Sequence, residues 1–326
     1  CEIVCPGVLL LGEVVMAPEK VVPYFGTVEK PECHLLYNVT TMASTWHTVA
    51  TKDVSLLRRQ LDIISELPRD YVFQNYLRCH DDIGWGLDYE YLENFGIQEV
   101  PHKKYLNDFL TGKYPDSFAR GELYNDDPRL GDARLCGTTA SLCGIERFGF
   151  EGNQEGVDRA VRYDITLHAF MLSQSGIPVI YSGDEIGQVN DYSYKDDPEK
   201  SDDSRYLHRG KFDWKLAENR HDPATVQGKL FPVLNKLEHI RSSHGIFNSN
   251  VPIHTIDTWD NSILAFVREN DEEKFIGIYN FSENDKVAWI NEEDGMYTDL
   301  ISGREMEAKG VQIPAFGCYW LCRNKQ

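Results

Sequence analysis

The sequence lacks any apolar run long enough to form a membrane-spanning helix. Hydrophobic residues make up 41% of its 326 residues, but no stretch approaches the roughly 18 uninterrupted apolar residues that such a helix needs. It also lacks a segment rich in Lys and Arg, and 33 basic residues face 52 acidic ones, for a net charge of −19. Because nucleic-acid affinity comes largely from neutralising phosphates, these features exclude a membrane span and a nucleic-acid partner. A neutral or cationic ligand, such as a sugar, fits this charge.

The cysteines and the N-terminus lack the patterns of zinc-binding and secreted proteins. The cysteines do not form paired CxxC clusters, which argues against zinc, and we expect buried free thiols in a reducing compartment. The N-terminus has neither a Met nor a basic region before an apolar run, so it does not resemble a signal peptide. These features predict a cytoplasmic protein whose sequence begins within a longer one. The eight cysteines are Cys1, Cys5, Cys33, Cys79, Cys136, Cys143, Cys318 and Cys322.

The first part of the chain alternates apolar strand patterns with helix patterns. Val8–Val15 is a near-continuous apolar run, which predicts a strand buried on both faces. The alternation predicts a parallel α/β sheet or barrel with about four βα units. The further strands are predicted at 34–37, 71–78 and 177–181, and the helices at 41–66, 157–175 and 226–241.

Two other segments follow different patterns. Residues 84–155 break the helix–strand rhythm, and a structureless connection of that length is rare, so a folded insertion or lid is expected. Residues 248–326 contain short strands separated by Asn, Asp and Gly, which is typical of an antiparallel sandwich. The predicted domains are therefore 1–83 with 156–247, the insertion 84–155, and the sandwich 248–326.

Ionisable residues follow three of the four predicted parallel strands. Glu13 follows the first strand, His80 and Asp81 follow the third, and Asp184 and Glu185 follow the fourth. One such residue alone is more often solvated at a strand–loop junction than functional. Side chains at the carboxyl ends of barrel strands share one mouth, so we expect these groups to meet. Paired carboxylates are what cleavage of a glycosidic bond requires.

The run from Asn75 to Trp85, Asn-Tyr-Leu-Arg-Cys-His-Asp-Asp-Ile-Gly-Trp, resembles the seventh-strand motif of the α-amylase family, glycoside hydrolase family 13. In detail it is most similar to the amylosucrases. The resemblance implies the C-terminal half of a (β/α)8 TIM barrel, with a long insertion after strand seven and a C-terminal antiparallel β-sandwich. The likeness recurs in order at Ser117–Gly121, Gly131–Arg134, Tyr181–Gly187 and Lys200–Arg205.

The resemblance also implies residue roles. Glu13 matches the general acid/base at the end of strand five. Asp81 matches the carboxylate that stabilises the oxocarbenium-like transition state, and His80 matches its sugar-binding neighbour. Asp82 and Arg134 match residues near the acceptor subsite.

The implied substrate is sucrose or an α-glucan oligosaccharide, and neither a cofactor nor a metal is implied. Arg205 matches an arginine whose salt bridge, to an Asp of an early strand, closes the glucose pocket. Trp46, Trp85, Trp214 and Trp320 are expected to be packing residues rather than sugar platforms.

One catalytic element of that family is absent from the sequence. The nucleophile is an Asp in a motif of the kind G-F-R-x-D before the acid/base, and no such motif precedes Glu13. Gly12 also stands where amylosucrases usually have Ser. Two hypotheses remain open. The chain is part of a retaining α-glucoside-active enzyme whose partner is a missing N-terminal half, or it is a non-catalytic glucan-binding remnant. On either view, the chain alone is expected to be inactive or nearly so.

Overall fold

A computed structural model describes residues 3–16, 18–27, 29–127, 129, 132–290 and 295–325. The α-helices, in chain order, are α1 Pro18–Val21, α2 Val39–Thr51, α3 Ser55–Ser65, α4 Tyr89–Glu93, α5 Glu99–Leu110, α6 Thr139–Cys143, α7 Ile145–Phe150, α8 Gln154–Ser173, α9 Trp214–Ala217 and α10 Val226–Ser243. The 3-10 turns are Val22–Phe25, Asp184–Ile186, Tyr192–Asp196, Ser204–His208, Glu218–His221 and Gly245–Phe247. In the described part of the chain, no helix combines the length and the apolar character needed to cross a membrane.

The strands divide between parallel and antiparallel sheets. They are β1 Leu11–Gly12, β2 Leu35–Tyr37, β3 Val72–Asn75, β4 Glu122–Tyr124, β5 Arg134–Cys136, β6 Ile177–Pro178, β7 His254–Ile256, β8 Ile263–Glu269, β9 Glu273–Asn280, β10 Lys286–Ala288, β11 Met296–Asp299, β12 Glu305–Glu307, β13 Val311–Ile313 and β14 Cys318–Asn324. The order β1-β2-β3-β6 forms a four-stranded sheet in which every pairing is parallel. The predicted alternating α/β fold is confirmed, and the carboxyl ends of these strands share one edge.

The first strand differs from its prediction. Only Leu11 and Gly12 pair with β2, and Leu9, Leu10 and Leu11 are 65%, 39% and 39% exposed. The prediction of a strand buried on both faces is therefore wrong for the described chain. β1 has a neighbour on one side within the described residues, so one edge and part of its apolar surface stay open.

The predicted single helix over 41–66 is two helices, α2 and α3. α2 ends at Lys52, which has a left-handed φ of 59°. The Asp53 carboxylate then accepts a hydrogen bond from the Ser55 amide at 2.8 Å. The Val54 amide donates to the Asn261 carbonyl of the C-terminal part at 2.8 Å. A tertiary contact and a local cap therefore divide a segment whose apolar spacing predicts one helix.

The segment between β3 and α8 is folded against the end of β3. It holds α4 to α7 and the antiparallel hairpin β4–β5. Ile83 exchanges two backbone hydrogen bonds with Leu135 of β5, at 2.8 and 3.0 Å. This contact ties the chain just past His80 and Asp81 to the hairpin, and it brings residues of the segment beside the strand ends.

The C-terminal strands form antiparallel sheets, as their short spacing predicts. Six strands pair in the order β12-β11-β14-β9-β8-β7, and β10 pairs with β13. One face of the large sheet packs on β10 and β13. The other face belongs to the main hydrophobic core, where Phe266, Phe275 and Trp320 join helical residues. Trp46, Trp85 and Trp320 are buried as expected, but Trp214 is 77% exposed, so its predicted packing role is wrong.

The cysteines were predicted to be free and buried, and the structure agrees on the first property but only partly on the second. Every cysteine in the described ranges is free. Cys136, Cys143 and Cys322 are buried, whereas Cys5 is exposed. Cys1 and Gly131, the first residue of one motif, lie outside the described residues.

Candidate active site

Glu13 and His80 meet at the carboxyl edge of the parallel sheet. Glu13 follows β1 directly, and His80 lies five residues past β3. The distance between Glu13 Oε1 and His80 Nε2 is 3.9 Å, and both side chains are partly exposed. Because β1 and β3 flank β2 in one parallel sheet, their carboxyl ends point to the same side. The convergence expected from the sequence is therefore found for this pair.

Asp81 is held by Arg205. Arg205 Nη1 donates to Asp81 Oδ1 at 2.9 Å. The rest of the guanidinium is fixed by Asp203, which accepts from Nε and Nη2 at 2.9 Å each, and Tyr124 lies 4.5 Å below it. Within the described residues, the carboxylates that Arg205 contacts are thus Asp81 and Asp203. The resemblance instead implies an Asp of an early strand as its partner. The bidentate contact orients Arg205 toward Asp81.

Arg209 is a site residue that the sequence analysis missed. Its Nη2 lies 3.5 Å from Asp81 Oδ1, and its Nε donates to the His80 carbonyl oxygen. Asp81 therefore sits between two guanidinium groups. The sequence feature that could have indicated Arg209 is its position four residues after Arg205, just past an acidic loop. That spacing puts both arginines on the 3-10 turn Ser204–His208 or at its end.

The two adjacent aspartates differ in their acidity. Partial burial raises the pKa of Asp81, but the hydrogen bond and charge of Arg205 outweigh it and hold that pKa below its ordinary value. Burial raises the pKa of Asp82, and the negative charge of Asp81 adds to the increase, although Arg134 opposes it. Asp81 is therefore the carboxylate that stays anionic down to lower pH.

Asp82 connects the strand end to the segment over 84–155. Arg134, the first residue of β5, donates Nη1 to Asp82 Oδ2 at 3.2 Å. The Asp82 side chain is nearly buried, whereas that of Arg134 remains 39% exposed. Arg134 therefore has donors left over for a ligand. The six residues to which the resemblance gives roles lie in one chain of contacts or neighbouring positions.

Asp184 does not face the shared mouth, contrary to expectation. Its Oδ1 accepts from Arg78 Nε at 2.8 Å, and both side chains are 2% exposed. Its Oδ2 accepts from Thr139 at 3.0 Å, and Arg78 also donates to the His208 carbonyl at 3.1 Å. A buried aspartate needs such partners. Asp184 is therefore paired with Arg78 in the protein interior and is not exposed at the mouth of the site.

Comparison with known proteins adds to this geometry. No family model matches the chain. It is 25% identical over 320 residues to glucosylglycerate phosphorylase of Escherichia coli (strain K12), covering 98% of this chain and 53% of that protein. Solved structures with the same fold include AmyP in complex with maltose, with a TM-score of 0.62, 13% identity and coverage of 96% and 54%. Another is sucrose 6F-phosphate phosphorylase from Thermoanaerobacter thermosaccharolyticum, with a TM-score of 0.61, 17% identity and coverage of 93% and 51%.

Each of these matches covers at least 93% of the chain. The relatives and structural neighbours are enzymes of the α-amylase family, which supports assigning the chain to that family. The chain spans about half the length of the glucosylglycerate phosphorylase that it matches. Its α/β fold with C-terminal sheets is consistent with the structures of those barrel enzymes.

Gly12 stands where amylosucrases usually have Ser, and this departure has a structural explanation. A Cβ added to Gly12 would lie 2.6 Å from Leu36 Cδ2 and 2.9 Å from Cys33 Sγ. Both neighbours would have to shift to admit a serine. The close approach of β1 and β2 therefore favours glycine at the residue before Glu13, irrespective of the reaction.

We expect the substitution Arg205→Met to raise the pKa of Asp81. The variant loses the hydrogen bond and positive charge that lower this pKa, while the partial burial that raises it stays. The protonation step of Asp81 then moves to higher pH, as measured by NMR of ¹³C-labelled carboxyl groups. The matched control is Arg129→Met, at an exposed arginine paired with Asp127, which should leave Asp81 unchanged. An unchanged titration of Asp81 in Arg205→Met would contradict the expectation.

Proposed function

We propose that this chain carries the acid/base side of a retaining active site for α-glucosides. The observation that supports it is the constellation of Glu13, His80 and Asp81 at one sheet edge, with Asp81 held between Arg205 and Arg209. Among the described contacts, Glu13 approaches His80 but no Arg or Lys, whereas Arg205 holds the pKa of Asp81 below its ordinary value. Glycosidic cleavage needs one carboxyl group that donates a proton and another that stays anionic.

In the proposed first step, Glu13 is the acid. It gives its proton to the glycosidic oxygen while the bond from that oxygen to the anomeric carbon breaks and its electron pair stays on oxygen. A carboxylate nucleophile forms the new bond to the anomeric carbon. Asp81, as an anion, stabilises the positive charge that develops between these events. His80 is proposed to hydrogen-bond the sugar beside Asp81.

In the second step, Glu13 acts as the base. Its carboxylate takes the proton of an acceptor hydroxyl, whose oxygen bonds to the anomeric carbon and displaces the nucleophile carboxylate. The anomeric configuration is retained because it is inverted twice. Asp82 and Arg134, joined at 3.2 Å, are proposed to line the acceptor side.

The nucleophile is proposed to come from outside these 326 residues. No G-F-R-x-D motif precedes Glu13, and β1 leaves an apolar edge open. Further parallel strands pairing with β1 and β6 would complete a (β/α)8 barrel, cover Leu9 and Leu10, and bring in the missing carboxylate. On this proposal the sheet is the C-terminal half of that barrel, with 84–155 as an insertion and 248–326 as a sandwich.

The proposed substrates are sucrose or α-1,4-glucans, as the amylosucrase-like motifs predict. Phosphorolysis is a second candidate. The relative matched over 98% of this chain is a phosphorylase, and a further phosphorylase shares the fold. The site also presents Arg134, Arg205 and Arg209, and guanidinium groups are suited to a phosphate acceptor.

The test uses the protein expressed from the complete reading frame that contains this sequence. Sucrose, maltotriose and glucosylglycerate are each incubated with and without inorganic phosphate. Glucose formed without phosphate indicates hydrolysis, and glucose 1-phosphate formed with it indicates phosphorolysis. Glu13→Gln should lower kcat/KM for these substrates by at least about 100-fold. It should lose far less on α-glucosyl fluoride, because fluoride leaves without needing a proton.

The matched control is Glu185→Gln, at a strand-end carboxylate that accepts from the Gly183 amide at 2.8 Å. It should keep most of the activity. Equal losses for Glu13→Gln on natural substrates and on the fluoride would refute the acid/base role. The alternative, a non-catalytic glucan-binding remnant, is supported if the complete protein binds maltotriose without turnover.

A further inference from the structure

Three side chains of mixed chemistry converge far along the chain from the candidate active site. They are His244, Glu273 and Cys322. One ligand atom of each lies within 4.8 Å of the others. The glycosidic chemistry proposed above uses none of them.

The fold brings these residues from three separate elements. His244 directly follows α10, Glu273 begins β9, and Cys322 lies in β14. In the β9–β14 ladder Asn324 pairs with Glu273 and Cys322 pairs with Phe275. Alternate residues of a strand share a face, so Glu273 and Cys322 are diagonal neighbours on one side of the sheet. The cluster therefore sits where the last long helix meets the antiparallel sheet.

The carboxylate is the centre of the cluster. Glu273 Oε1 contacts the imidazole Nδ1 of His244 and lies 3.8 Å from Cys322 Sγ. Its Oε2 accepts a hydrogen bond from the Ile246 amide at 3.3 Å. Glu273 and Cys322 are 8% and 5% exposed, while the His244 side chain is 29% exposed. Glu273 and Cys322 are thus shielded from solvent, and the cluster is accessible to solvent at His244.

We propose that His244, Glu273 and Cys322 form a binding site for one Zn²⁺ ion. Imidazole nitrogen, thiolate sulfur and carboxylate oxygen are the three ligand types that zinc takes in proteins. A dication with one thiolate and one carboxylate is electrically neutral, which suits a site that is largely shielded from water. Hard cations such as Ca²⁺ and Mg²⁺ select oxygen ligands and are disfavoured by the thiol. A water molecule completes the tetrahedron.

Ion binding exchanges a proton for the metal. Cys322 Sγ donates a hydrogen bond to Glu273 Oε1 at 3.8 Å, so its S–H proton lies where the ion would bind. When sulfur bonds to Zn²⁺, the S–H bond breaks and its proton leaves to the buffer. The bound ion would tie the end of α10 to β9 and β14.

The test uses the full chain freed of metal by a chelator. Zn²⁺ titration should show one equivalent bound at this site, release of one proton, and a higher Tm. Co²⁺ as a probe should give a thiolate-to-metal charge-transfer absorption, which reports a Co–S bond directly. Absence of that absorption together with a Tm that does not respond to Zn²⁺ would overturn the proposal.

The variants assign the ion to this cluster. Cys322→Ser should abolish the charge-transfer absorption. His244→Gln alters a partly exposed side chain, and it should weaken zinc binding by at least about 100-fold, since removing a direct ligand exceeds the loss from a supporting residue. The matched control is Cys79→Ser, which removes the thiol of the other mixed cluster, Glu13, Cys79 and His80. Loss of the absorption in Cys79→Ser with retention in His244→Gln would refute the assignment. The outcome is independent of any activity toward sugars.

Discussion

Replacing Arg78 with Met is expected to lower the free energy of unfolding by about 3–5 kcal/mol. Arg78 and Asp184 are both 2% exposed and their ion pair is 2.8 Å long. Without the guanidinium, the Asp184 carboxylate remains buried with the Thr139 hydroxyl as a neutral donor at 3.0 Å. The His208 carbonyl oxygen also loses its donor. Equilibrium unfolding in denaturant measures the change.

A double-mutant cycle separates the ion pair from packing. Asp184→Asn should also destabilise the fold, and the double variant should lose less than the sum of the single variants, because neither partner is left charged and unpaired. The exposed pair of Lys30 and Glu32 is the control, and Lys30→Met should cost no more than about 1 kcal/mol. Additive losses at Arg78 and Asp184 would mean that the pair is not coupled.

Trp46→Ala is expected to cost about 3–5 kcal/mol of stability. Trp46 lies in α2 with no exposed surface, and its indole Nε1 donates to the Leu77 carbonyl at 2.7 Å. The substitution leaves a cavity in the main core and an unpaired carbonyl three residues before His80. We therefore expect the strand end that carries His80 and Asp81 to loosen as well, as faster amide hydrogen exchange there would report.

Two companion substitutions divide this loss into its parts. Trp46→Phe keeps most of the apolar volume but not the hydrogen bond, and it should cost less than the alanine variant, with about 1 kcal/mol from the bond itself. Trp214→Ala, at the exposed tryptophan beside Phe212, should change stability by about 0.5 kcal/mol or less. If Trp214→Ala were as damaging as Trp46→Ala, burial would not be the cause.

The approach of Glu13 to His80 was predictable because both residues lie shortly after apolar strands. Glu13 and the His80–Asp82 run stand at strand ends, and parallel strands present those ends to one edge. Arg209 was not identified, because its contact with Asp81 spans 128 residues of sequence and its four-residue spacing from Arg205 was the one local signal. The His244, Glu273 and Cys322 cluster was missed for the same reason. Its members come from three elements that are distant in sequence. Zinc ligands are recognisable in a sequence when they form closely spaced pairs such as CxxC.

By itself, the sequence determined the alternation of parallel strands and helices outside residues 84–155, the change to antiparallel strands after residue 248, and the family resemblance. Those properties depend on local periodicity and on runs of adjacent residues. Only the tertiary structure decided the break of the predicted helix at Lys52, the exposure of Leu9 to Leu11, and the burial of Asp184 against Arg78. Each depends on a partner distant in sequence, or on an edge that no described strand covers, and the free energy of burial is set by those neighbours.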